Sequence, residues 1–105
     1  METYAIAHVT SARPGPDIVR YLSAVDSTLE PFGGRFLVHG DSGSVLEGDF
    51  VGNVIVIAFP SRAQAEGWYE SPEYQQILPL RTRNTTGWVI LVGGVADGHR
   101  ATDIL

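Results

Sequence analysis

The chain has 105 residues, of which 44% are hydrophobic and 18% charged, and its formal net charge at pH 7 is −5. These values predict one globular domain with an ordinary core, and the acidic balance argues against nucleic acids and anionic membranes as partners. Cysteine is absent and all seven cationic side chains are arginines, which excludes disulfides, thiolate ligands and a lysine Schiff base.

The first half of the chain predicts a strand, a helix and a second strand. Residues 4–9 form a short apolar run that stops at a segment rich in proline and glycine, as is typical of a strand. Pro16 and the three- and four-residue spacing of apolar side chains over 18–29 indicate an amphipathic helix. Residues 35–40 form the second predicted strand, and residues 44–48 are either a short strand or an extension of the neighbouring ladder.

The second half of the chain predicts a strand, two helical pieces and a last strand. Residues 54–59 are apolar on both faces, which is typical of a central strand. Ser61 and Ser71 each precede a helical pattern in the position of an N-cap, so we expect two consecutive helical pieces. Residues 88–92 form the last predicted strand, and residues 96–105 are expected to be a flexible tail.

Together these elements follow the order β-α-β-β-α-β, the ferredoxin-like arrangement of an α+β fold. We expect a four-stranded antiparallel sheet with the helices on one face. The open face, which the helices leave uncovered, would carry Ile6, Leu37 and part of residues 54–59, and it is too apolar to stay exposed to water. The simplest cover is the same face of a second copy, so the sequence predicts a homodimer.

Five motifs follow one another along the chain: GGRFLV at residues 33–38, VLEG at 45–48, IAFPS at 57–61, WYESPEY at 68–74 and LR at 80–81. Over roughly residues 3–95 this series resembles the family of domain of unknown function 1330. The resemblance implies a dimeric α+β barrel, in which two ferredoxin-like subunits pack their sheets face to face and residues 1–95 form the single domain. Families of similar structure include antibiotic-biosynthesis-type monooxygenases, muconolactone isomerase-like enzymes, polyketide cyclases and haem-degrading proteins, but the resemblance itself supplies no activity.

His8 and Arg35 are the predicted catalytic residues. Strand alternation places both on the open face. With the first two strands taken as antiparallel and one strand between them, His8 and Arg35 lie at one end of the sheet, about 10 Å apart. His8 would move a proton, and Arg35 would hold a carboxylate or enolate oxygen. The alternatives are a hydrogen-bonded core or rim histidine, and an ion pair of Arg35 with Glu47 or another acid. His39 is predicted at the opposite end of the sheet, in a surface role.

Four further residues are predicted to bind substrate. Trp68, Tyr69 and Tyr74 lie at the junction of the two helical pieces, where they either line a pocket or form core and dimer contacts. Arg81 falls on an otherwise apolar helix stripe, and it either pairs with an acid or faces the pocket. The three histidines are too widely spaced to indicate a metal site, and no cofactor is expected.

Three functions are compatible with these residues. The first is a cofactor-independent enzyme (an isomerase, cyclase or monooxygenase) that acts on a small carbonyl or aromatic compound through acid–base chemistry of His8. The second is a non-catalytic ligand-binding or stress-associated dimer that uses the same pocket, and the third, less favoured, is haem binding through His8 or His39. No apolar stretch has the length of a membrane span and the N-terminus lacks the basic region of a signal peptide, so a cytoplasmic protein is expected.

Overall fold

The computed structural model describes all 105 residues, and its elements follow the predicted order with the second helix divided in two. The strands are β1 (Thr3–Ala12), β2 (Arg35–Asp41), β3 (Asn53–Phe59) and β4 (Thr85–Gly93), and the helices are α1 (Pro16–Leu29), α2 (Arg62–Glu70) and α3 (Pro72–Thr82). Short 3₁₀ turns occur at Glu30–Phe32 and Ala101–Ile104. The predicted ferredoxin-like α+β fold is confirmed, and residues 44–48 form no strand but part of the loop between β2 and β3.

Two serines determine where the second helix begins and where it divides. The Ser61 hydroxyl accepts a hydrogen bond from the backbone N–H of Gln64 at 3.2 Å and so caps α2, as the sequence predicts. The Ser71 hydroxyl accepts from the N–H of Tyr74 at 3.2 Å and donates to the carbonyl of Trp68 at 2.7 Å. The division into α2 and α3 therefore has a local cause, because one side chain closes the first helix and caps the second.

The sheet has the order β2-β3-β1-β4, and every neighbouring pair of strands is antiparallel. Because β1 and β2 both pair with β3 in the antiparallel sense, they are parallel to each other. The prediction of antiparallel β1 and β2 is therefore wrong: a strand was expected between them, but two strands that both pair antiparallel with that strand run in the same direction. As a result the start of β2 lies level with the start of β1, where Arg35 pairs with Ala58 and Ala58 with Tyr4.

A bulge in β2 changes which of its side chains face the helices. Between Phe36 and Val38 the pairing with β3 advances by only one residue, so that Leu37 is an extra residue on its strand. Beyond the bulge the alternation is one position out of step with the start of the strand. His39 therefore pairs with Ile55 on the helix-covered face, whereas strict alternation predicts the open face.

The core lies between the sheet and the helices. The sheet contributes Ala5, Ile57 and Phe59 to it. The helices contribute the other buried apolar side chains: Tyr21, Val25, Leu29, Ala65, Trp68, Tyr74 and Leu80. The chain passes very close to this core at Gly34, where a Cβ atom would lie 2.8 Å from the ring of Phe59, so only glycine fits there without a shift.

No helix covers the open face of the sheet, and the loop between β2 and β3 contacts it at His8. Its side chains alternate with the core residues along three strands: Tyr4, Ile6, His8, Val54, Val56, Ala58, Trp88, Ile90 and Val92. Trp88 and Ile90 expose 50% and 46% of their surface. Apolar residues scattered singly over a surface are common, but a contiguous apolar patch such as this one is typical of a face that packs against another molecule.

Residues 96–105 are all exposed. They contain the 3₁₀ turn Ala101–Ile104, beside which His99 lies 3.9 Å from the carboxylate of Asp103. No helix of the chain combines the length and the apolar character needed to span a membrane.

Candidate functional site

A cleft of about 290 Å³ lies between the sheet and the helices. Buried apolar side chains, among them Ala5, Val25 and Ile57, form its floor, and its rim includes the exposed residues His39 and Asn53. Of its 19 lining residues 14 are hydrophobic, so its polar groups are few. A concave apolar pocket with a small number of polar groups is the usual form of a small-molecule site.

Two tyrosines form a hydrogen-bonded pair in the wall of the cleft. The hydroxyls of Tyr21, from α1, and Tyr74, from α3, are 2.8 Å apart, and both residues are buried. Burial, together with the neighbouring oxygen of Tyr74, raises the pKa of Tyr21, so its hydroxyl stays protonated at neutral pH. The bond between the hydroxyls uses one of their two protons and leaves the other available to a ligand.

Arg81 is the only arginine that lines the cleft. Its guanidinium carbon lies 5.9 Å from the centre of the Tyr21 ring, within the range of a cation–π contact. Burial alone would lower the pKa of Arg81, but the hydroxyl oxygens of Tyr74 and Tyr21 outweigh burial and raise it. Neither of the chain's two ion pairs includes Arg81, so no carboxylate lies within 4.0 Å of this half-buried cation.

Trp68 forms part of the cleft wall, whereas Tyr69 does not reach the cleft. The indole N–H of Trp68 donates to the hydroxyl of Thr28 at 3.0 Å, so this side chain is fixed and offers the cleft only its ring. Tyr69 meets Trp68 edge-on, with ring centres 6.1 Å apart, and lies in a separate groove beside β4. Of the four residues predicted to bind substrate, Trp68, Tyr74 and Arg81 are brought together, and Tyr69 is a packing residue.

His39 is the histidine of the cleft, and its exposed position at the rim agrees with the predicted surface position. Its ring stacks on Phe36, with centres 4.2 Å apart and planes 14° apart, at the exposed rim. His39 pairs with Ile55, which pairs in turn with Ala7, the neighbour of His8 in β1. His39 is therefore level with Ala7, on the face opposite to His8, and the prediction that it lies at the far end of the sheet from His8 is wrong. The only local signal for this irregular strand is Gly40, whose φ of 95° accompanies a second shift of register.

His8 lies on the open face, in contact with the loop between β2 and β3. Its Nε2 atom donates to the carbonyl of Val51 at 2.6 Å. Its ring stacks on Phe50, with centres 4.7 Å apart, and meets Trp88 edge-on at 5.5 Å. These contacts correspond to the alternative of a hydrogen-bonded histidine, and ligation of haem through Nε2 would require breaking them.

Arg35 is exposed and pairs with Glu2 at 3.0 Å. Hydrogen bonds from Arg35 and from Tyr4 lower the pKa of the Glu2 carboxyl. Since Arg35 lies in the row of Tyr4, it is four residues along the strand and two strand spacings from His8, a distance of roughly 16 Å. The predicted convergence of His8 and Arg35 is therefore wrong. The alternative ion pair is formed, with Glu2 as the acid instead of Glu47.

No group of three or more histidine, aspartate or glutamate side chains is placed to hold a metal ion. The three histidines lie in different parts of the fold: His8 on the open face, His39 on the cleft rim and His99 beyond β4.

The polar groups of the cleft include two phenols, one guanidinium and one imidazole, from Tyr21, Tyr74, Arg81 and His39. These groups can donate hydrogen bonds, stabilise negative charge on oxygen and transfer a proton.

One family model matches the sequence, the Domain of unknown function (DUF1330), over residues 2–95. The matched range contains all four strands and all three helices. No curated protein is significantly similar in sequence to this chain.

Solved structures share the fold at low sequence identity. The methylated RPA0582 protein, from Rhodopseudomonas palustris, has a TM-score of 0.70 at 17% identity, covering 93% of this chain and 84% of its own. A dimeric ferredoxin-like protein of unknown function from Jannaschia sp. CCS1 has a TM-score of 0.71 at 11% identity, covering 90% and 100%. SnoaB, a cofactor-independent oxygenase from Streptomyces nogalater, has a TM-score of 0.61 at 10% identity, covering 94% and 98%. At these identities the likeness concerns the fold alone.

Proposed function

Since this chain belongs to the DUF1330 family, whose name assigns no activity, we propose a function from its cleft: a homodimeric, cofactor-independent enzyme that acts on a small carbonyl or aromatic compound. The observation that supports this proposal is the composition of the cleft, an apolar cavity of about 290 Å³ with a phenol pair, a guanidinium and an imidazole. Such groups can remove a proton from a bound substrate and stabilise the resulting charge on oxygen.

In the proposed reaction His39 is the acid–base residue, in place of His8. The imidazole of His39 takes the proton from the carbon next to the substrate carbonyl, and the electron pair of the broken C–H bond moves toward the carbonyl oxygen. Arg81 and the free proton of the Tyr21–Tyr74 pair donate hydrogen bonds to the enolate oxygen that forms. Isomerisation, ring closure and attack on dioxygen can each start from this enolate.

His8 and Arg35 have structural roles in this proposal. His8 holds the loop between β2 and β3 through the carbonyl of Val51, and Arg35 holds the start of the chain through Glu2. Neither lies on the face of the sheet that forms the cleft floor, so neither touches the substrate within its own subunit. The similar fold of an oxygenase described as cofactor-independent supports the class of chemistry by analogy only.

The homodimer is part of the same proposal. The open face presents half-exposed Trp88 and Ile90, and packing this face against its own copy about a two-fold axis would remove both from water. The Jannaschia protein of similar fold is described as dimeric. In such a dimer each subunit keeps its own cleft, because the cleft lies on the opposite face of the sheet.

Proton exchange tests the reaction. A panel of small ketones and aromatic carbonyl compounds in D₂O is followed by NMR, and we expect the protein to catalyse loss of the α-proton signal. His39→Gln should slow this exchange about 100-fold or more, and His99→Gln, a histidine outside the cleft, is the matched control. Undiminished exchange by His39→Gln would contradict its role. Binding without any exchange by the unaltered protein would favour the non-catalytic ligand-binding alternative.

A further inference from the structure

Arg81 is a partly buried cation in the cleft with no acid beside it. Arg35, at the surface, is within 3.0 Å of Glu2, whereas Arg81, half-buried in an apolar cleft, has no carboxylate within 4.0 Å. The acid that α1 contributes in its first turn, Asp17, accepts a hydrogen bond from the Asn84 amide at 3.3 Å instead. The hydroxyl oxygens of Tyr74 and Tyr21 stabilise this charge, but no group of full negative charge faces it, so the guanidinium can still pair with an anion.

Arg81 and the groups around it present hydrogen-bond donors to a ligand in the cleft. A guanidinium has only donors. The paired hydroxyls of Tyr21 and Tyr74 satisfy each other with one proton, and their second proton is one more donor. The indole of Trp68 is already bound to Thr28. A ligand that fits here must therefore bring acceptor atoms to this wall and apolar surface to the rest of the cleft.

We infer that the ligand itself supplies the counter-ion of Arg81: the cleft takes a small planar molecule that carries one oxyanion, a carboxylate or an enolate. This inference rests on the proposed function, in which the cleft binds the substrate. It adds that the substrate is an anion and that its charged group binds to Arg81. The planar oxygen pair of a carboxylate matches the fork of a guanidinium. A volume of about 290 Å³, at the lower limit of typical ligand sites, fits a compound of one or two rings.

The test compares two probes of the same shape, 1-naphthoate and 1-naphthamide, which differ in charge. Binding is followed through the two indole N–H signals in NMR, because Trp68 lines the cleft and Trp88 lies on the open face. We expect the carboxylate to bind about 10- to 100-fold more tightly than the amide and to shift the Trp68 signal. In Arg81→Gln this preference should fall to within about threefold, since the charge-assisted bonds are lost.

Arg83→Gln is the matched control, because Arg83 is an exposed arginine directly after the last residue of α3 and lies outside the cleft. It should keep the full preference for the carboxylate. Arg81→Lys keeps the charge and loses the fork, so it should show an intermediate preference, and it serves as the informative variant where Arg81→Gln fails to fold.

Three results would overturn the inference. Equal affinity for 1-naphthamide, with a shift of the Trp68 signal, would leave the proposed function intact and show that the cleft does not select an anion. A shift of Trp88 instead of Trp68 would place the anion on the open face. Absence of any shift with either probe would also reject an anion site, and the proton-exchange measurement would then judge the proposed function separately.

Discussion

At the scale of single residues, the partner of an ionisable side chain decides its role more than its type does. His8 and His39 lie in neighbouring rows of one sheet, yet the first donates to a backbone carbonyl on the open face and the second lies at the cleft rim. Arg35 forms an ion pair with Glu2, whereas Arg81 forms none. The residue types alone would rank the two histidines, and the two arginines, as equal candidates.

Stability in alkali should depend on Tyr21. Burial raises the pKa of this phenol, so the folded chain keeps a proton that the unfolded chain releases near pH 10. The free energy of unfolding should therefore fall as the pH rises above about 10. Tyr21→Phe has no such proton to lose, and urea unfolding between about pH 9 and about pH 11.5 should show a shallower decline for this variant. Identical declines in the two proteins would contradict this assignment.

At the scale of elements, short-range bonds and irregular pairing shape the cleft together. Ser71 ends α2 and begins α3, which brings Trp68 and Tyr74 close to each other, with ring centres 4.0 Å apart. The bulge at Leu37 turns His39 toward the helices. The break between α2 and α3 and the extra residue in β2 thus determine the positions of three side chains around the cavity: Trp68, Tyr74 and His39.

Ser71→Ala should destabilise the protein by about 1–2 kcal/mol. The hydroxyl is buried and makes two hydrogen bonds, so its removal leaves the N–H of Tyr74 without its cap and the carbonyl of Trp68 without a donor. Urea unfolding measures the change. Ser27→Ala is the control, because Ser27 is an exposed serine within α1, and it should change stability by less than about 0.5 kcal/mol. A similar loss in both variants would argue against the capping role.

At the scale of the whole molecule, the two faces of the sheet have separate tasks. The helix-covered face forms the cleft, and the open face presents apolar side chains that need a cover. The proposed dimer and the proposed chemistry can therefore be altered independently. This separation lets variants of the open face be compared with the unaltered protein through the Trp68 signal.

Trp88→Glu should shift the protein from dimer to monomer. Its side chain is 50% exposed in the single chain and lies on the open face beside His8, where an unpaired carboxylate would be buried between two sheets in the proposed dimer. Sedimentation should give twice the chain mass of 11.4 kDa for the unaltered protein and about that mass itself for the variant. Ile104→Glu changes an apolar residue that is 80% exposed beyond β4 and should leave the dimer intact. A monomeric unaltered protein would reject the dimer.

Periodicity, caps and composition were sufficient to predict the ferredoxin-like fold, the order of its elements and an apolar open face, because each is encoded in residues close together in the chain. Two of the predicted binding residues lie in the cleft for a related reason, since α3 presents Tyr74 and Arg81 along one side.

The arrangement of the candidate active groups was decided only by tertiary structure. The parallel direction of β1 and β2 places Arg35 level with Tyr4 and away from His8, and the bulge at Leu37 brings His39 to the cleft. The hydroxyl pair of Tyr21 and Tyr74 joins residues 53 positions apart. The physical reason is that strand pairing acts between distant segments, where a shift of one residue moves every later side chain of the strand to the other face.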